Sequence, residues 1–242
     1  MGVLSFNYKV SVSHIGEGNN LTNYGLLLIL QEAATSASQE VGFGPLTIRK
    51  TDIIWILLNW KLKVFSRPMW NDEITVKTWP RKSVKCYSFR DFEIYDKDNN
   101  LVAIASSKWV LVDLKKDSVT NIPEDFKDMY GYVDKMVFED EIVGKIREPE
   151  EGNNTFNYTI SRHDLDQNHH TNNTNYLNYA YEALPKDVFE NIDFKNIEIM
   201  YRHETRLGDK ISCFYSNSTD NEHLVTIKNN DGTSLHCIVK LY

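Results

Sequence analysis

Phe6-Asn-Tyr-Lys-Val10 returns later in the chain as Phe156-Asn-Tyr-Thr-Ile160. Each run alternates apolar with polar residues and reads as a strand. Each is followed by a polar loop and then by a Thr-Asn-Tyr, Thr22 to Tyr24 and Thr174 to Tyr176, that opens a helix-like stretch. Further on, Asn71-Asp-Glu-Ile74 is matched by Gly208-Asp-Lys-Ile211, and the turn Asp98-Asn-Asn-Leu101 by Asn230-Asp-Gly-Thr233. Four matches in the same order mark an internal duplication of about 110 residues. A short period would mean a solenoid, whereas a pair this long means two like domains.

Within the first copy, residues 5–13 read as a strand. Tyr24 to Val41 reads as a buried helix, apolar nearly all round in its first half and ended by Gly42 and Gly44-Pro45. From Ile53 the period changes to that of strands. Ile53 to Val64, Glu73 to Trp79, Tyr87 to Tyr95 and Leu101 to Val112 are four long candidates, with turns at Asp72 and Asp96 to Asn100. Residues 115–152 lose the pattern. The second copy then restarts, with a shorter helix, Tyr176 to Leu184, stopped by Pro185. This is an α+β class, each half a long helix across an antiparallel β-sheet. The expected division is a domain over 1–120, a linker over 121–152 and a domain over 153–242.

The net charge of −7 argues against a general nucleic-acid binder, which would present a basic field. Cys86, Cys213 and Cys237 lie far apart without a C-x-x-C pair, so neither a disulfide framework nor a zinc site is signalled, and the odd count fits a reducing compartment. Met1 to Val10 has no basic region preceding an apolar one. The apolar run Leu26 to Leu30 is far too short to cross a bilayer. A cytoplasmic protein without a membrane segment is expected.

Residues 161–182 are the densest in chemistry: Ser161-Arg-His-Asp-Leu-Asp-Gln-Asn-His-His170 continuing through an Asn-rich run to Glu182. They join a strand end to a helix start, where side chains converge and free backbone N–H groups await a partner. Asp166, Asn168 and His170 stand two apart, which in extended chain puts a carboxylate, an amide and an imidazole on one face. The same residues also suit a capping loop, since Asn and Asp are common caps and turn formers.

A helix wrapped by a long antiparallel sheet, used twice, resembles the hotdog fold in tandem. Asp164-Leu-Asp-Gln-Asn-His-His170-Thr-Asn-Asn-Thr-Asn-Tyr176 resembles the second-domain signature of the acyl-acyl carrier protein (ACP) thioesterases, the plant fatty acyl-ACP thioesterases and their bacterial relatives. Tyr201-Arg-His-Glu204 resembles that family's Tyr-Arg-x-Glu landmark. The resemblance implies a thioesterase that hydrolyses fatty acyl-ACP to free fatty acid and carrier protein, ending chain elongation in fatty acid biosynthesis. It also implies catalytic roles for Asp166, Asn168, His170 and Glu204, with no cofactor and no metal. Where the plant pattern has a Cys after that Glu, this chain has Thr205, so a Cys nucleophile is not available at that position.

Thioester hydrolysis needs a positioned water, a base and donors for the oxyanion. Glu204 is expected as the base or water-orienting carboxylate, or as a nucleophile through an anhydride. His170 would bind the same water or polarise the carbonyl, Asn168 would position substrate, and Asp166 would orient the others. N–H groups near Thr174 to Tyr176 are candidate oxyanion donors. His163 and His169 fit no motif position. The first domain has Arg67 where Glu204 would stand and Gly16-Glu-Gly-Asn19 in the loop. By the resemblance it houses the acyl chain, with small residues Ala33, Ala34, Ser36 and Ala37 beside the helix. The expected partner is an acidic carrier protein bearing the acyl chain, so a basic patch is needed. One candidate is Lys77, Arg81, Lys82, Lys85 and Arg90, and the other is Arg202, Arg206 and Lys210. Nucleic acid is not expected, and both monomer and homodimer remain open. The rivals are an acyl-CoA thioesterase of the same fold, a metal hydrolase using His163, Asp164, Asp166, His169 and His170, and a non-catalytic acyl-binding protein.

Overall fold

The computed structural model describes residues 2–46, 52–122, 125–139, 145–219 and 221–242. The chain forms two units, Met1–Leu58 with Leu62–Val143, and Asn59–Lys61 with Gly144–Tyr242. In the first, β1 (Leu4–Lys9) leads through a 3-10 turn at Val12–His14 to α1 (Asn23–Glu40). Then follow β2 (Ile53–Val64), β3 (Glu73–Val84), β4 (Tyr87–Asp96), β5 (Leu101–Asp113), the short β6 (Ser118–Thr120) and α2 (Asp125–Tyr130). The sheet order is β1-β3-β4-β5-β2, with β6 on β5. β1 is shorter than the expected 5–13 because Ser11 leaves the sheet to cap the 3-10 turn.

Thr22 starts α1: its Oγ1 accepts from the N–H of Gly25, one of the donors a helix leaves unsatisfied. Gly25 is required there. A Cβ would lie 2.2 Å from the carbonyl oxygen of His14, so helix and turn touch backbone to backbone. Leu26, Leu27, Ile29, Leu30, Ala33 and Ala37 are buried. The helix packs on β3, over the sheet face that carries Val76, Phe92, Ile94, Ala103 and Ala105 in register. Burying a Leu or Ile side chain contributes about 1.5–3 kcal/mol, so this stripe is what fixes the helix to the sheet.

The opposite face of the same strands is covered by residues 133–137. Trp79 Nε1 donates to the Lys135 carbonyl at 2.9 Å, Val137 N–H to Asp91 Oδ2 at 3.1 Å, and Val133 N–H to the Pro80 carbonyl at 3.1 Å. The region expected to link the domains, 121–152, therefore contains residues packed on the first unit. Its residues 123, 124 and 140–144 lie outside the described residues.

In the second unit the elements are β7 (Asn153–Thr159), a 3-10 turn (Arg162–Asp164), α3 (Asn175–Ala183), α4 (Lys186–Asn191), β8 (Asn196–Tyr201), β9 (Lys210–Thr219), β10 (Glu222–Asn229) and β11 (Leu235–Leu241). The order is β8-β11-β10-β9-β7. Tyr176, Leu177, Tyr179, Ala180 and Ala183 are the buried stripe of α3. Pro185 stops α3, as read from the sequence, and also caps the start of α4.

The duplication holds in hydrogen-bond detail. Val10 N–H to the Asp72 carbonyl is repeated by Ile160 N–H to Asp209, both at 2.9 Å. Leu21 N–H to Pro68 is repeated by Thr171 N–H to Thr205. Asn71 and Gly208 both take a positive φ, 75° and 86°. One match is shifted by two residues. Thr22 N–H bonds the His14 carbonyl as Asn172 N–H bonds that of Asp164, so the counterpart of Thr22 is Asn172 and not Thr174.

Candidate active site

Asp164 sets the frame. It is 3% exposed and accepts from Ser161 N–H at 2.7 Å, from the Ser161 hydroxyl at 2.6 Å and from the Tyr158 hydroxyl at 3.0 Å. Its carbonyl takes Asn172 N–H and Asn175 Nδ2. One residue thus ties the end of β7 to the start of α3. Burial pushes the Asp164 carboxyl up, but the bonds from Ser161 and Tyr158 outweigh it and hold the carboxyl below its usual value. A depressed folded pKa stabilises above the unfolded value and is lost as pH falls through the folded one. Asp164→Asn is therefore expected to cost about 1–3 kcal/mol at neutral pH. It should also flatten the loss of stability that the parent shows below about pH 4, read from urea unfolding midpoints across that window. An unchanged acid profile would remove Asp164 from this role.

Beyond the 3-10 turn, Leu165 and Thr171 form an isolated antiparallel bridge and residues 166–170 close a tight turn between them. Asp166 N–H donates to the His170 carbonyl at 2.7 Å, and Asp166 Oδ1 accepts from Asn168 N–H at 2.7 Å and from His170 N–H at 3.2 Å. His169 takes φ 63° to let the chain reverse. The extended geometry expected for Asp166, Asn168 and His170 is thus replaced by a turn. Its cause is the Asp166 carboxylate, which captures backbone N–H groups ahead of it.

The turn still presents groups for chemistry. His170 Nε2 lies 3.1 Å from Glu204 Oε1, with the two side chains 30% and 47% exposed. Arg206 holds the same oxygen at 2.7 Å. Glu204 reaches this position because the next residue, Thr205, is fully buried and pinned. Thr205 Oγ1 bonds Thr171 Oγ1 at 2.7 Å and the Tyr176 hydroxyl at 2.9 Å, while its carbonyl takes Thr171 N–H. Thr205 is an anchor, closed to substrate. Asn168 sits exposed at the turn. Asp166 faces backbone N–H groups.

Two expectations need correction. Of the proposed oxyanion donors, Thr174 N–H is taken by Asn172 Oδ1 and Asn175 N–H by the Asn172 carbonyl. In the first basic patch, Arg81 and Arg90 are buried, 7% and 6% exposed, on strands whose two faces are both covered. Arg202, Arg206 and Lys210 are exposed and bracket Glu204 in sequence. Tyr158, Asp164 and Tyr176, which support the turn, were missed as supports. The signal available was Ser161 followed three residues later by an acid, a capping-box spacing.

In the first unit the matching turn is Gly16 to Asn20, and the place of Glu204 is held by Arg67. There Arg67 is structural: its guanidinium donates to the Leu21 carbonyl at 3.0 Å and to Asn23 Oδ1 at 3.1 Å. Among the described residues, no group of three or more His, Cys, Asp or Glu is placed to hold a metal ion, and no helix is long and apolar enough to cross a membrane.

Two family models match the chain, the acyl-ACP thioesterase N-terminal domain over residues 3–130 and the C-terminal domain over residues 147–239. Among curated proteins it is 24% identical to oleoyl-acyl carrier protein thioesterase 2 of Arabidopsis thaliana, over 95% of this chain and 68% of that one. It is 25% identical to the oleoyl-acyl carrier protein thioesterase of Coriandrum sativum, over 90% and 62%. The chain thus spans about two thirds of the length of these curated relatives. Among solved structures it superposes on an acyl-ACP thioesterase from Bacteroides thetaiotaomicron with a TM-score of 0.87 at 22% identity, over 99% of this chain and 96% of that one. The 12:0-ACP thioesterase from Umbellularia californica gives 0.86 at 20%, over 99% and 96%. The fold is the tandem hotdog, α+β.

Proposed function

The chain belongs to the acyl-ACP thioesterase family, a family of thioester hydrolases, and from that premise we propose that it hydrolyses fatty acyl groups carried on acyl carrier protein. The products are free fatty acid and carrier protein, and the reaction ends chain elongation in fatty acid biosynthesis. Residues 153–242 carry the chemistry and residues 1–120 take the acyl chain. The observation that carries this reading is the half-exposed His170–Glu204 pair at 3.1 Å.

His170 Nε2–H and Arg206 both hold Glu204 Oε1, which leaves Oε2 to accept a proton from water. Water attacks the thioester carbon as Glu204 takes that proton. The oxyanion forms near Asn168, whose exposed amide can donate to it. The carbonyl re-forms, the C–S bond breaks, and the proton passes from Glu204 to the leaving thiolate. Asp166 acts on Asn168 and His170 through the turn it closes.

Several features support the division of labour. In the first unit Gly16, Gly18, Asn20 and Arg67 replace Asp166, Asn168, His170 and Glu204, so it lacks the acid–base set. Its helix carries buried Ala33 and Ala37 and its sheet buried Ala103 and Ala105, small residues that suit a chain of methylenes. The exposed Arg202, Arg206 and Lys210 suit an acidic carrier. The three cysteines are free, in keeping with a reducing cytoplasm.

A chain-length series of acyl groups on carrier protein and on coenzyme A, followed by thiol release in chelator, tests the reading. Carrier-protein esters are expected to turn over at least about tenfold faster. Turnover of coenzyme A esters alone would transfer the reaction to an acyl-CoA thioesterase. No turnover of either, with acyl esters still bound, would leave a binding protein.

A further inference from the structure

Glu204 stands in a stretch, residues 202–206, that belongs to no strand or helix. Its aim therefore depends on what holds the peptides on either side of it. On the far side Thr205 is buried and pinned by Thr171 and Tyr176. On the near side the tie is a side chain that the acid–base steps do not use. His236 Nδ1 donates to the His203 carbonyl at 3.0 Å. A carbonyl has no hydrogen to give, so the proton sits on Nδ1. His236 is itself held, 8% exposed on β11, with its carbonyl accepting Arg202 N–H at 2.8 Å.

His236 occupies a bulge. Ile227 on β10 pairs with Cys237, but the next residue, Lys228, pairs with Leu235, so the ladder passes over His236. The first unit has the same bulge: Ile94 on β4 pairs with Ala103 and Tyr95 with Leu101, which passes over Val102. The two bulged residues make the same backbone contact, since the Val102 carbonyl accepts Phe65 N–H, also at 2.8 Å. A bulge re-aims a side chain, often beside an active site. Valine has no donor to aim. Ser66, in the place of His203, bonds instead through its own N–H to the Val102 carbonyl at 3.2 Å. Arg67, in the place of Glu204, is tied to Leu21 and Asn23 and needs no aim from a neighbour. The side-chain donor thus stands in the unit that carries the carboxylate, and valine in the one that does not.

We propose that His236 is a positioning residue for Glu204, an inference that rests on the reading that Glu204 takes the proton from water. The His203 carbonyl lies in the rigid peptide plane that ends at the Glu204 Cα. The bond from Nδ1 therefore sets the direction in which the Glu204 side chain leaves the backbone. With Thr205 locking the peptide that follows, the carboxylate is placed by two buried residues, and His170 and Arg206 have only to meet it. Without the bond the near peptide is free to rotate, and a small displacement of the base costs much of the rate.

The test compares thiol release from acyl carrier protein esters by His236→Asn, His236→Gln and His236→Val. Asparagine puts an N–H where Nδ1 stands, glutamine reaches a bond too far, and valine is the residue that the first unit carries at this bulge. His236→Val and His236→Gln should lose about tenfold to a hundredfold in kcat, with KM changed by less than about threefold. His236→Asn should keep most of the rate, a rescue that a merely space-filling role would not give. Because His236 acts through Glu204, the valine change should cost less than about threefold in the Glu204→Gln background. A His236→Val variant with the parent kcat, an asparagine variant no better than the glutamine one, or a full valine loss on top of Glu204→Gln overturns the proposal. If His236→Val does not fold, the asparagine and glutamine variants decide. If Glu204→Gln keeps the parent rate, the base reading fails by itself. The hold on the His203 carbonyl is then read without turnover, from nitrogen NMR of the His236 imidazole in the wild type. A proton on Nδ1 upholds it, and a proton on Nε2 alone overturns it.

Discussion

Glu204→Gln lowers kcat/KM for acyl carrier protein esters by on the order of a thousandfold, the range a positioned general base supplies, with no change in folding. Glutamine keeps the shape and an oxygen for the His170 and Arg206 donors, but it cannot take a proton from water. Glu204 is half exposed and its fold-bearing neighbour is the buried Thr205, so the loss is expected in kcat and not in the unfolding midpoint. His170→Ala should fall by about a hundredfold or more, because Glu204 Oε1 loses the donor at 3.1 Å that aims it. If the two act on one water, the double variant loses little beyond the worse single one, since groups that work as a unit are not additive. Thiol release by the three variants measures all of this. A loss under about tenfold in Glu204→Gln would move the base elsewhere.

Much of this architecture is legible in the sequence because the duplication is written in turn and strand residues. Asn71-Asp72 and Gly208-Asp209 occupy the same corner for the same reason. Each corner needs a positive φ followed by an acid whose side chain accepts the N–H of Met69 or Arg206. The long helix was legible from its all-round apolar first half, which has no surface to present. The pairing of His170 with Glu204 was legible only as two motifs, since the distance between them depends on a bridge that sequence does not display.

What could not be read has physical causes. Asp166, Asn168 and His170 at a period of two look like a strand face, yet a carboxylate at the head of the run captures the next N–H groups and bends the chain. Charged residues default to the surface, so Arg81 and Arg90 read as a basic patch. Their burial follows from residues 133–137 covering one face and α1 the other, and the 115–152 region carries no periodic pattern that would announce such a cover. The two-residue shift between the helix starts comes from Asn172, which replaces Thr22 as acceptor and captures Thr174 N–H, so that α3 begins at Asn175.

Asp91→Ala is expected to be the most destabilising single change at a polar position, about 3–5 kcal/mol, the range for removing one member of a buried charge pair. Asp91 is fully buried and three elements meet on it: Ser106 on β5 donates to Oδ1 at 2.7 Å, Val137 N–H to Oδ2 at 3.1 Å, and Arg81 on β3 stands 3.6 Å away. Alanine leaves the guanidinium in a dry site without its carboxylate and releases residues 133–137 from the sheet. Asp91→Asn fills the same space and keeps one acceptor oxygen, so it should cost less. The two also differ in pH dependence. Burial raises the Asp91 carboxyl, more than the bonds from Ser106 and Val137 and the charge of Arg81 lower it. A raised folded pKa contributes stability below the unfolded value and loses it as pH climbs through the folded one. The deficit of Asp91→Asn relative to the parent should therefore be larger near about pH 4 than at neutrality, while Asp164, common to both, cancels. Urea midpoints at the two pH values decide it. A cost under about 1 kcal/mol for alanine, or a deficit that grows towards neutrality, would mean that Asp91 does not anchor this face.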